Sequence, residues 1–310
     1  MTPEEVADLR ARRYNATVVY LHKTNPDLMV MRVRPDFPRP HHHPGQYGTL
    51  GLGYWEPRVE GCQVESLKPE ELTKVVRRAY SLSCPVEGDG PDGLYNLDST
   101  DWVEFYIVLV RENPDGRVPA LTPRLFALKE GDRIQFGERI TGHYTLDAVK
   151  PGDTVVFLGT GTGEAPHNYM LWELLRRGHT GKILSACCVR YSRDLGYLET
   201  HRRLMGRYPN YKYLPLTTRE PGQTRKVYIQ DAITSGELEE QIGAPLDPAT
   251  THVFLCGNPK MIGVPTRDKA TGTVTYPQPP GVIEVLERRG FHADVSATKF
   301  KGNIHFEEYW

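Results

Sequence analysis

One stretch, DTVVFLGTGTGEAPHNYMLWELLRRG at residues 153–178, narrows the choice of fold more than any other. An apolar run, a turn with glycines at 159, 161 and 163, and a helix-length segment ending on Gly178 follow one another without a spacer. That is the order of a strand, a tight turn and a helix. GKILSACCVRYSRD (181–194) reads as the next strand and YLETHRRLMGRY (197–208) as the next helix. YKYLPLTTRE (211–220) and THVFLCGNPK (251–260) are further strands, and GVIEVLERRG (281–290) is a late helix. Strands alternating with helices predict an α/β doubly wound parallel sheet.

Before residue 150 the rhythm differs. ATVVYLHKTNPDLMVMRVRP (16–35) is two strand-like runs around an Asn-Pro turn, and QYGTLGLGYW, KVVRRAYSLSC and DWVEFYIVLVRE follow. TPRLFALKEGDRIQF (122–136) suggests a short helix that stops at Gly131, then a strand. Many strands separated by turn signals predict an N-terminal antiparallel β-barrel. The expected division is two domains, 1–150 and 151–310, with the boundary in DAVKPGD (147–153).

Composition excludes several classes. With 38 basic and 39 acidic residues the net charge is -1, which disfavours a general nucleic-acid binder. The opening MTPEEVADLRARR lacks the apolar core of a secretory signal, and no run is long enough to span a bilayer, so a cytoplasmic location is expected. The five cysteines, 62, 84, 187, 188 and 256, include no C-x-x-C pair, so neither a zinc site nor an iron–sulfur cluster is encoded. Cys187 and Cys188 read as small buried side chains of a strand.

Several motifs carry chemistry. In LGTGTGEAP (158–166) the glycines permit close backbone approach at a helix N-terminus, as a diphosphate requires; the same pattern also serves as an ordinary tight turn. Arg190 and Arg219 end successive strands and Arg225 lies just beyond. At the carboxyl ends of neighbouring parallel strands their guanidinium forks would suit a phosphate dianion, such as the 2′-phosphate of a nicotinamide dinucleotide; singly, each is also a solvated surface arginine. CGNP (256–259) places Cys256 at a strand end, to touch a bound ring or to fill space. In RAYS (78–81), Arg78 can pair with phosphate, Tyr80 can stack on a planar ligand and Ser81 can meet a ring edge; a plain edge strand is the other reading. HHH (41–43) lies in a Pro-rich connection with no carboxylate at ligand spacing, and reads as a loop rather than a metal site.

PGQYGTLGLG, RAYS, EFYIVLV, ALTPRL, GTGTGEAP, VRYSRDLGYL, TTRE, CGNPKM and the terminal YW occur in the order found in the ferredoxin–NADP⁺ reductase family, and the chain resembles its compact bacterial ferredoxin/flavodoxin reductases over residues 15–310. The resemblance implies an FAD-binding barrel followed by an NADP-binding α/β domain. It implies FAD and NADP(H) as cofactors, ferredoxin or flavodoxin as partner, and a monomer. It places Arg78 on the FAD diphosphate, Ala79 among the cofactor-binding residues, Tyr80 on one flavin face and Ser81 near flavin N5. Tyr106 matches an FAD-contacting tyrosine, and Ala120, Leu121 and Thr122 match the segment that holds the diphosphate. Thr160 and Gly161 lie where the two cofactors meet. Arg190, Arg219 and Arg225 match the 2′-phosphate set, and Cys256, Gly257 and Asn258 the segment beside the nicotinamide. Tyr309 matches the terminal aromatic over the other flavin face, and Trp310 the bacterial one-residue extension against the FAD. Strand alternation puts Glu307 on the side of Tyr309, where plant members keep a carboxylate; adjacent Glu308 is the alternative.

Departures accompany the match. Glu164 replaces an apolar residue after the glycines, a charge unfavourable beside a diphosphate unless it points away. His167 stands where an aromatic or aliphatic residue is usual, and GVPTRDKATGTVTYPQPPG (263–281) is inserted as a polar surface excursion. Two competing functions remain at this stage: an NADH-linked flavin reductase component of an oxygenase or other electron-transfer system, which the arginine trio disfavours, and a flavin-bound relay without turnover of its own, which the complete nicotinamide half disfavours.

Overall fold

The computed structural model describes residues 1–113, 115–268, 270–295 and 298–309. It begins with a helix, α1 (Pro3–Arg13), in a region read above only for its lack of a signal. Thr2 and Glu5 cap it reciprocally and Pro3 takes the first helical position. Arg10 pairs with Glu56, which also accepts from the Tyr14 hydroxyl at 2.9 Å, so the helix is tied to the barrel by a buried carboxylate.

The barrel has six strands: β1 (Ala16–Asn25), β2 (Leu28–Pro35), β3 (Tyr47–Gly53), β4 (Val75–Ser83), β5 (Val103–Val108) and β6 (Arg133–Phe136). They close antiparallel in the order β1-β2-β5-β4-β3-β6. Met29, Met31, Leu50, Leu52, Phe105 and Phe136 fill the interior. The closure is uneven. Strand β4 pairs with β3 from Val75 to Ser81, but among the described residues its pairing with β5 is limited to Leu82 and Ser83. RAYS therefore lies on a strand with one free hydrogen-bonding edge.

The segment after β5 corrects one expectation. Its helix, α2 (Thr122–Leu125), is a single turn rather than a run to Gly131. The next turn tightens, with the Ala127 N–H donating to the carbonyl of Arg124 at 3.1 Å. The Arg124 guanidinium is buried and donates to the carbonyls of Ala120 (2.6 Å) and Tyr54 (3.0 Å) while pairing with Glu65.

The second half is a parallel five-stranded sheet. It contains β7 (Thr154–Thr160), β8 (Ile183–Val189), β9 (Tyr211–Thr217), β10 (Thr251–Gly257) and, after a short hairpin of β11 (Thr266–Arg267) and β12 (Val274–Thr275), the strand β13 (Ile304–Glu308). The order is β13-β10-β7-β8-β9. Helices α3 (Glu164–Arg176), α4 (Leu198–Arg207), α5 (Ile229–Ser235), α6 (Glu237–Ile242), α7 (Pro259–Ile262) and α8 (Val282–Glu287) flank it. Side chains alternate along each strand, so Phe157 and Cys187 join a core continuous with the barrel, while Val156 and Leu184 join a second core with Ile229, Leu238 and Val282. The 263–281 excursion leaves and returns where Gly263 and Gly281 touch; a Cβ on either would come within 2.5 Å of the other.

The two halves share a polar seam. Tyr197 donates to Glu104 (3.1 Å), which is held by Arg32, and Trp172 donates to the Tyr95 carbonyl (2.9 Å). His42 of the HHH loop is drawn into this seam beside the Tyr169 hydroxyl (3.2 Å). Replacing Arg124 with Ala would strand the buried Glu65 carboxylate and two carbonyls, and we expect a loss of about 3–5 kcal/mol in urea unfolding. A loss under about 1 kcal/mol would show that the pair does not hold this corner of the barrel.

Candidate functional site

Strand register assembles the site. In the parallel pairing of β10 with β13, Cys256 lies opposite Glu307 and Gly257 opposite Glu308; the Tyr309 N–H then donates to the Gly257 carbonyl at 2.9 Å. This carries the Tyr309 phenol onto the barrel, beside Ser81 of β4 and the Cys256 thiol, without a well-formed hydrogen bond to either. Ser81, Cys256, Glu307 and Tyr309, four residues from three strands and the tail, thus meet at one place.

Tyr144 joins them, a residue the sequence reading passed over. It lies within electrostatic reach of Cys256, Glu307 and Tyr309, and its hydroxyl shares a 2.7 Å hydrogen bond with His167 Nε2. Nothing local in GHYTLD marks it; the contact exists only once the chain between the halves is folded back. His167 stacks on Phe157, and burial lowers its pKa to about 3, so it is a neutral partner.

The electrostatics follow from burial. It pushes the Cys256 thiol and the Tyr309 phenol well up, so both stay protonated at neutral pH. It raises Glu307 to about 7, and it raises the less buried Glu308 too. Three buried polar atoms here have no partner among the described residues: Ser81 Oγ, Glu307 Oε2 and the Tyr309 hydroxyl. Orphans of this kind are rare and cost about 1–3 kcal/mol each. Beside them runs the free edge of β4, with the half-buried Tyr80 ring packed edge-on against Phe105 (6.4 Å). Arg78 and Ala79 are exposed there, and Arg78 makes no ion pair among the described residues.

The glycine turn adjoins this cluster. Gly163 passes so close to β10 that a Cβ would fall 2.2 Å from the Cys256 carbonyl oxygen, and Gly257 adopts φ +121° against Thr160. The Asn258 N–H donates to Thr160 Oγ1 at 2.7 Å. Gly161, at φ +55°, faces open space. At the other end of the crevice the Arg219 N–H donates to the Arg190 carbonyl (2.9 Å), which holds the two exposed arginines side by side. Arg225 is exposed in the following loop.

Other expected residues are spent elsewhere. The Tyr106 hydroxyl accepts from the Gly196 N–H (3.0 Å), and its ring packs against Tyr197 at 5.0 Å, so it is buried in the seam. A Cβ at position 196 would lie 2.4 Å from that hydroxyl, so glycine is needed there. The Thr122 hydroxyl is bound to the backbone of Val110 (3.1 Å), and the Ala120 carbonyl to Arg124, with Leu121 buried between. The carbonyls of Leu121 and Thr122 accept within the α2 turn, so among the described residues the main-chain N–H groups of 120–122 are what remain for a ligand. Trp310 lies outside the described residues.

A barrel whose open strand faces a dinucleotide-type sheet defines a two-domain flavin and nicotinamide reductase fold. A model of the oxidoreductase NAD-binding domain family matches residues 157–266. The chain is 36% identical over 221 residues to a flavodoxin/ferredoxin–NADP reductase of Escherichia coli (strain K12), an alignment covering 70% of this chain and 75% of that one. It is 26% identical over 260 residues to a ferredoxin–NADP reductase of Pseudomonas aeruginosa, covering 80% and 86%. Among solved structures it is similar to a ferredoxin NADP⁺ reductase of Neisseria gonorrhoeae with bound FAD and NADP (TM-score 0.66, 19% identity, covering 95% and 97%). The chain belongs to the flavodoxin/ferredoxin–NADP reductase family.

The residues present fit the flavin of that family. The free β4 edge offers backbone donors and acceptors, and the orphaned Ser81, Glu307 and Tyr309 atoms await a polar partner. The raised Glu307 also makes a measurable claim. Burying its ionised form costs nothing below the unfolded value of 4.5 and the full penalty above about 7, so stability falls as pH rises through that window. Wild type should lose about 2–3 kcal/mol across it relative to Glu307→Gln. Parallel pH profiles for the two in urea unfolding would contradict the burial of this carboxyl.

Proposed function

We propose that the chain is an FAD-dependent oxidoreductase that moves electrons between NADPH and ferredoxin or flavodoxin. The observation that supports it best is the meeting of Ser81, Cys256, Glu307 and Tyr309 at the free edge of β4, with the glycine turn alongside. Bound FAD would supply the exchange between hydride and single-electron chemistry.

The chain's own residues divide the remaining work. Arg78, Ala79 and the backbone of 120–122 hold the flavin diphosphate, and Tyr80 and Ser81 meet the ring. Arg190, Arg219 and Arg225 grip the 2′-phosphate through charge-assisted bonds. Thr160, Gly161, Gly257 and Asn258 shape the floor on which the nicotinamide lies. Tyr309 covers the face that the nicotinamide must reach, so it has to move aside. Cys256 stays a thiol and shapes the approach, while Glu307, its pKa raised to about 7, holds or releases a proton beside Cys256 and Tyr309. The division into 1–150 and 151–310, a monomeric state and a cytoplasmic setting belong to the same reading. No helix among the described residues is long and apolar enough to cross a membrane.

The test is carrier reduction followed with NADPH and with NADH. The reading expects NADPH to be preferred at least about tenfold, the preference to shrink about tenfold in Arg219→Ala, and NADH use to rise in Tyr309→Ser. Equal rates with both dinucleotides would favour an NADH-linked reductase component, and unchanged NADH kinetics in Tyr309→Ser would remove the gating role.

A further inference from the structure

The first residue of α3 is a buried carboxylate. Glu164 is 2% exposed, and its N–H closes the glycine turn by donating to the carbonyls of Gly161 and Thr162. Its side chain points away from the crevice, into the space between α4 and β9. There the Tyr213 hydroxyl donates to Oε1 at 2.7 Å, and His201 Nε2 approaches the same oxygen at 3.1 Å. His201 is itself fully buried, stacked on Tyr213 at 4.0 Å and bonded through Nδ1 to the Tyr211 hydroxyl at 2.7 Å. Both donors serve one oxygen; Oε2 is buried with no partner among the described residues. The incomplete compensation is felt around it. Burial raises the Cys187 thiol and the Tyr106 and Tyr213 phenols, and Glu164 is the next cause for each.

A carboxylate here does something an amide would not. The α3 N-terminus carries the partial positive charge, and the turn the free N–H groups, that attract an anion from the crevice. Glu164 sets a fixed anion behind that cradle. Resting on the reading of the crevice as an NADP(H) site, we propose that Glu164 is an affinity-setting residue: its half-compensated carboxylate opposes the dinucleotide diphosphate from inside the protein and keeps dinucleotide binding weak enough for release. The opposition acts on the diphosphate and not on the 2′-phosphate, which the arginines hold at the other end of the crevice.

Calorimetric titration of the FAD-loaded enzyme with NADP⁺ and with 2′-AMP tests this. Glu164→Gln should bind NADP⁺ about three- to tenfold more tightly, the range of one carboxylate at a helix N-terminus, and 2′-AMP unchanged. Tyr213→Phe removes a donor from the carboxylate and should weaken NADP⁺ about two- to threefold, again without effect on 2′-AMP. A loosened structure would weaken both ligands, so tighter binding in Glu164→Gln is a readout that a merely structural role would not give. Unchanged or weaker NADP⁺ binding in Glu164→Gln, or equal shifts for both ligands, would overturn the proposal; if that variant does not fold, unchanged NADP⁺ affinity in Tyr213→Phe would do so. Wild type that binds 2′-AMP but shows the wrong shifts loses only this inference, whereas wild type that binds neither ligand loses the NADP(H) reading together with it.

Discussion

The parallel pairing of β13 with β10 is the constraint on which the site depends. It alone puts Glu307 beside Cys256 and hands Tyr309 on to Ser81 of the barrel. A slip of one residue would invert the strand, burying Glu308 in place of Glu307 and turning Phe306 out of the second core. The register is pinned at the far end of the strand. His305 bonds Asp294 (2.9 Å) and His252 (3.1 Å), and its ring tilts against Phe254 at 4.6 Å. A polar chain at one end of β13 thus fixes the chemistry at the other.

The second requirement is that the barrel present an open strand at the place where β13 ends. Strand β4 does so because, among the described residues, it pairs with β5 through Leu82 and Ser83 alone. Across the seam Glu104, Arg32 and Tyr197 join β5 to the parallel half, and the Tyr106 hydroxyl accepts from the Gly196 N–H. At the site itself Ser81 Oγ, Glu307 Oε2 and the Tyr309 hydroxyl are left without partners among the described residues.

Much of this was legible in the sequence because it rests on period and spacing. The apolar run 155–158 followed by glycines at 159, 161 and 163 marks a strand and a turn whatever surrounds them, and by the same logic RAYS falls within a strand and CGNP at a strand end. The misses are tertiary. Tyr144 has no motif, since its role comes from the return of the linking chain. Helix α2 is one turn long, and the pairing of its Arg124 with Glu65, 59 residues away in sequence, has no local signal. Glu164 gives no local sign of its place: only His201 and Tyr213 show that its carboxylate is turned inward, behind the glycine turn. Helix α1 is a different case: Thr2, Pro3 and Glu5 form a complete capping signature that needed no tertiary information.

The central claim is that these two halves form one flavin site reduced by NADPH. The measurement that tests it most directly is the visible absorption spectrum of the purified protein before and after anaerobic addition of NADPH, with NADH as the control. The account predicts a flavin spectrum that NADPH bleaches quickly and NADH slowly. A protein that stays colourless and cannot be reconstituted with FAD would contradict it, and so would a bound flavin that NADPH leaves oxidised.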